Sequence, residues 1–295
     1  MSQPEPRLYN FLISPFVEFE FMRRALVGAL ALAIAGSPLG VFLILRRMAL
    51  TGDAMAHAIL PGAALGYLAA GLSLGPMTIG GLIAGLLVAV GSGVVARATN
   101  LREDASMAAF YLISLALGVT IISLRGSNID LLHVLFGSVL ALDDATLLLL
   151  AAIASLTLIG LALIYRPLVM ETVDPGFLAS VGRAGGPTQI LFLTLVVLNL
   201  VGGFHALGTL LAVGMMMLPA ASARLIAKDI SAIIAIAAAL GMLASYIGLI
   251  ISFYAGLPSG PLIILIAGAF YLLALVFGPA GGVLRRLPPR RHLEA

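Results

Sequence analysis

Cysteine is absent from this chain, lysine occurs once (Lys228), and only 10% of the 295 residues are charged. Without cysteine there are no disulfides and no thiolate metal sites, and the redox compartment is left unspecified. A single lysine, with no glycine-rich loop closing on Lys-Ser/Thr, excludes a nucleotide-hydrolysing P-loop, so the chain does not hydrolyse ATP itself. A soluble chain carries about 25% charged residues. The shortfall here, with 61% hydrophobic residues and a mean hydropathy of +1.16, describes a polytopic membrane protein with no stretch left over for a separate soluble core. The net charge of +3 comes from arginines scattered over several loops, which argues against a nucleic-acid partner.

What remains is apolar sequence in spanning lengths. Runs fall near 22–45, 52–72, 76–97, 103–124, 145–165, 187–203, 206–226, 231–254 and 260–278. Each is close to the roughly 20 residues a helix needs to cross a bilayer. The expected fold is therefore all-α, a transmembrane bundle of nine spans, with residues 126–143 too short and mixed to cross twice and read as a re-entrant or interfacial helix. Residues 1–21 contain Glu5, Glu18 and Glu20, do not read as a cleaved signal peptide, and are expected at the interface. The transmembrane bundle would occupy 22–280 and a basic tail 281–295. Alternating spans collect Arg46, Arg47, Arg97, Arg102, Arg166, Arg183, Arg224, Lys228, Arg285, Arg286, Arg290 and Arg291 on one side, and Arg7, Arg23, Arg24 and Arg125 on the other. The first side is cytoplasmic by the positive-inside rule. Most of the 33 glycines read as packing positions, while Gly202-Gly203 reads as a break between two short helices.

Asp53 is the one acid inside an otherwise apolar run, in Gly52-Asp-Ala-Met-Ala-His-Ala-Ile-Leu-Pro-Gly62. An ionisable group there costs a few kcal/mol and faces a cavity, a partner or a substrate by default. His57, four residues on, shares its helix face. Carboxylate and imidazole together suit a first-row divalent ion such as Zn, Mn or Fe, and the competing reading is a structural polar pair between helices. His205 is either a solvated interfacial residue or a ligand at the outer mouth. His133, in the 126–143 segment, either packs or serves an outer gate. His292 carries no assignment. Met215-Met216-Met217 point in three directions on a helix and read as core filling rather than a copper site. Glu103 and Asp104 complement a helix N-terminus.

Joined to what precedes it, the block from Gly36 through Arg46-Arg47-Met48 and Asp53 to Gly62 resembles the permeases of ABC-type zinc, manganese and iron importers. Three further blocks agree in order: Asp130–Leu140, Asp174–Gly182 and Gly208–Arg224. The resemblance covers roughly residues 20–280. It implies a multi-pass subunit of a bacterial plasma membrane, paired with a second permease copy and surrounded by lipid. It also implies a cytoplasmic ATPase that binds the ATP, and an extracytoplasmic metal-binding protein that delivers the cargo; no cofactor resides in the chain. Asp53 and His57 would line the path. Loop 166–186, with Glu171, Asp174, Pro175, Gly176, Ala179 and Gly182, would dock the ATPase through a short helix capped by Asp174. Two alternatives stand beside this reading. A proton-coupled secondary carrier predicts symmetry between halves that is not visible. A permease for vitamin B12 or siderophore chelates has no need of a carboxylate–imidazole pair.

Overall fold

A computed structural model describes residues 11–71, 73–99, 103–124, 142–173 and 185–286, and every regular element among them is a helix. In chain order they are α1 (Ser14–Glu18), α2 (Glu20–Leu45), α3 (Ala49–Ala58), α4 (Leu60–Ala70), α5 (Leu74–Ala98), α6 (Glu103–Leu124), α7 (Asp144–Val173), α8 (Gly185–Leu207), α9 (Thr209–Ile226), α10 (Ile230–Ala255), α11 (Ser259–Phe277) and α12 (Val283–Arg286). Seven of these are long and apolar enough to cross a membrane: α2, α5, α7, α8, α9, α10 and α11.

The nine apolar runs all become helix, with three departures from expectation. The run 52–72 is split into α3 and α4 around Ile59. Pro61 has no amide to offer the carbonyl of His57, four residues back, so the ladder breaks where the sequence places its proline. The loop expected from 166 does not begin there, because α7 continues as helix through Pro167 to Val173 and buries Leu168 completely. Gly202-Gly203 is not a break. Helix α8 runs through both, with Gly202 against Ile153 and Gly203 against Ala212, and ends at Gly208, whose φ of 88° falls where side chains are strained. Most of the 126–143 segment, including His133, lies outside the described residues.

Helix α2 is the centre, packing against α7, α8, α9 and α10. Close approach is bought with glycine at two crossings. A side chain at Gly40 would collide with the Met216 carbonyl of α9, and Gly62 and Gly80 place the backbones of α4 and α5 in mutual contact.

Polar contacts fix which helix ends lie together. At one end Arg24 bridges Glu20 (2.7 Å) and Asp144 (2.9 Å), joining the starts of α2 and α7. There the N-terminal segment folds onto the end of α10: Phe11 stacks on Tyr254, Phe16 on Tyr246, and the two tyrosine hydroxyls donate to the carbonyls of Phe11 and Leu12. At the other end Arg46 pairs with Glu171, joining the ends of α2 and α7, and the Leu225 carbonyl accepts from Ala280 and Gly281. Helices α2 and α7 therefore run parallel.

Candidate metal-translocation site

Helix α3 starts directly after the arginine-bearing end of α2. The link is a tight reversal: Arg47 donates to the Ile44 carbonyl (3.1 Å), Met48 to that of Leu43 (2.8 Å), and Arg47 takes a φ of 59°, the only positive value outside glycine among the described residues. This pairing is the Schellman arrangement, in which the left-handed position is usually glycine. Asp53 follows one turn into α3 and His57 one turn later.

The Asp53 Oδ1 and His57 Nε2 atoms lie 3.8 Å apart, too far for a direct hydrogen bond. Two first-row metal bonds of about 2.1 Å reach across at most about 4.2 Å, so both donors can share one ion. Asp53 is 66% exposed, whereas His57 is 30% exposed and its Nδ1 is buried without a hydrogen-bond partner. The imidazole lies near the Tyr111 ring of α6, 6.4 Å between centroids. Ser114 of the same helix donates to the Ala58 carbonyl (2.9 Å), which holds α6 against the end of α3. Behind Asp53, Gly52 leaves room for the methyl groups of Met216 and Met217. Among the described residues no three His, Cys, Asp or Glu side chains gather as a metal-binding group. One chain thus presents two convergent donors, open on the Asp53 side.

The other expected residues separate from this pair. His205 lies on the last turn of α8. His133, Asp174, Pro175, Gly176, Ala179 and Gly182 lie outside the described residues. Glu171 is on the last turn of α7, in the ion pair with Arg46 (3.0 Å), and both side chains are largely buried. Met215 and Met216 are buried in the core, as their spacing suggested. Sequence reasoning passed over Arg46, counted there only as a topology charge, and Gln189, buried on the first turns of α8. The signal for Gln189 was a polar residue bordering an apolar run.

A model of the ABC 3 transport family matches residues 18–278. "Manganese transport system membrane protein MntC" of Halalkalibacterium halodurans is 32% identical over 278 residues, covering 94% of each chain. "Probable iron transport system membrane protein" of Haemophilus influenzae is 29% identical over 270 residues, covering 92% of this chain and 98% of its own. A solved structure of PsaBC from Streptococcus pneumoniae in complex with Fab superposes with a TM-score of 0.82 at 30% identity, over 94% of this chain and 99% of that one. With the family's match spanning all nine apolar runs, this multi-pass membrane protein belongs to the ABC 3 transport family.

Proposed function

We propose that the chain is the permease subunit of an ATP-driven importer of divalent first-row metal ions, manganese, zinc or iron, and that Asp53 and His57 line the path. The carrying observation is the pair itself: a carboxylate two-thirds exposed on a helix among apolar spans, within metal-sharing distance of an imidazole. Lipid is a poor neighbour for such a carboxylate. A second permease copy covers it and brings the same two donors, for four in all. A weak, divided ligand set suits an ion that must be released.

Nine crossings fit this reading when α3 and α4 count as one and α6 as another. The parallel run of α2 and α7, tied at both ends, supports an odd number of crossings between them. The arginine-rich end is then cytoplasmic, with an ATPase docked on the segment 174–182 between α7 and α8 and bearing the ATP. The aromatic end receives an extracytoplasmic metal-binding protein. The relatives' names, one for manganese and one for iron, support the metal class without choosing within it.

The test is uptake into proteoliposomes containing the permease with its ATPase. Asp53→Asn removes the charge and keeps the shape. Uptake should fall at least about tenfold, the loss seen when even a supporting group is taken from a metal site, while the complex stays assembled. Wild-type uptake in the variant would remove Asp53 from the path.

A further inference from the structure

A polar cluster at the arginine-rich end has no place in the metal site, yet it touches the three elements that would have to move together. Arg46 Nη2 meets Glu171 Oε1 at 3.0 Å, with 12% and 17% of the two side chains exposed. The guanidinium carbon lies 5.6 Å from the centre of the Phe192 ring on α8. Gln189, one turn before Phe192, is buried on the same helix face. Two atoms of the ion pair are buried without a hydrogen-bond partner, Arg46 Nη1, a donor, and Glu171 Oε2, an acceptor, and so is the acceptor Gln189 Oε1 one turn along α8 from Phe192.

Stability does not account for such a group. A buried ion pair is often no better than apolar side chains of the same volume, and each unpaired polar atom adds a further cost. A donor left over in an ion pair, with a second unpaired acceptor one helix turn from the ring it faces, is the arrangement expected of a cation with two alternative partners. The location gives the alternatives a purpose. Glu171 sits on the last turn of α7 and Gln189 on the first turns of α8, the two stems of the segment 174–184. Arg46 caps α2 and leads through the Schellman turn into α3, a turn whose backbone groups are committed to hydrogen bonds at Leu43, Ile44 and Met48. Displacement of Arg46 therefore carries α3, and with it Asp53 and His57.

We propose that Arg46, Glu171 and Gln189 form a polar latch that positions the metal-bearing helix according to the state of the two stems. The guanidinium holds Glu171 in the arrangement described here and engages the Gln189 carboxamide when α7 and α8 shift. These are positioning residues, acting through α3 on the metal. The proposal rests on the reading of 174–182 as the ATPase-docking segment.

The experiment uses the assembled permease–ATPase complex in proteoliposomes and reads Mn(II) uptake and ATP hydrolysis together. Glu171→Gln removes one charge. The double variant Arg46→Met/Glu171→Met fills the same space without charge and guards against misfolding. Both should assemble and hydrolyse ATP near the wild-type rate, with uptake per ATP reduced about tenfold, within the range that coupling mutations reach. Arg46→Lys, which keeps the charge but not the fork, should recover part of it. A fluorophore on Leu50→Cys, exposed near the start of α3 in a chain with no other cysteine, should respond to nucleotide in the otherwise wild-type complex and not in the double variant. Unchanged uptake per ATP, an unchanged fluorophore response, or loss of assembly in every variant would overturn the latch. A wild-type complex that hydrolyses ATP without importing a divalent metal would instead overturn the proposed function, and the fluorophore would still report on the latch.

Discussion

Asp53 and His57 stand on one helix face with a 3.8 Å gap between their donor atoms, and the imidazole keeps a buried Nδ1 with no partner. Donors that share one ion fail together: once either is gone the ion has lost its grip, and removing the second changes little. His57→Ala should therefore lose as much uptake as Asp53→Asn, and the double variant should cost little more than either alone, a strongly non-additive cycle. Additive losses in the same proteoliposome assay would mean that the two side chains meet the ion at separate steps. The pair was legible in sequence because a lone acid in an apolar run has few excuses. Arg46 was not, since a terminal arginine looks the same whether it faces water or a buried glutamate. Its role rests on the course of α7 beyond Arg166, which an Arg-Pro dipeptide disguises as a loop.

Among the elements, α7 shows how an exposed terminus is held. Asp143 precedes its first turn and accepts the Thr146 amide at 2.9 Å. Hydrogen bonds from the Thr146 side chain and amide, helped by the nearby Arg24 charge, hold the Asp143 carboxyl below its ordinary value of 3.8. A carboxyl lowered by folding contributes stability above its unfolded pKa and loses it as pH falls through the folded one. The thermal midpoint of the wild type should exceed that of Asp143→Asn near neutral pH, and the gap should close as the pH drops below 3.8. A gap that persists in acid would assign the cap to shape rather than charge. Among the described residues the long helices were readable, because apolar length decides them. Breaks were harder. Gly202 and Gly203 are there to let Ile153 and Ala212 approach, and nothing in a glycine pair distinguishes that use from a bend. The break ahead of Pro61 follows from a missing amide, although the apolar run continues through it unchanged.

For the whole molecule the question is what passes through it. Carboxylate favours divalent charge, imidazole favours the transition series, and of the soft ligands that would hold Cu(I) cysteine is absent while Met215 and Met216 are buried in the core. Cells expressing the complete transporter should accumulate manganese, zinc or iron and show no selective uptake of copper, as read by elemental analysis. Selective copper accumulation, or uptake of an intact bulky chelate, would reassign the substrate class.

The aromatic clasp at the N-terminus bears on how the chain is made. Leu12 and Phe11 meet their tyrosine partners 234 and 243 positions later. At synthesis rates of about 5–20 residues per second, the opening segment waits on the order of 10–50 s before the helix that receives it exists. During that interval Phe11 and Phe16 lack the rings of Tyr254 and Tyr246, and Phe19 that of Phe253. Insertion of α10 ends the wait, and residues 11–19 are among the last to reach their final neighbours.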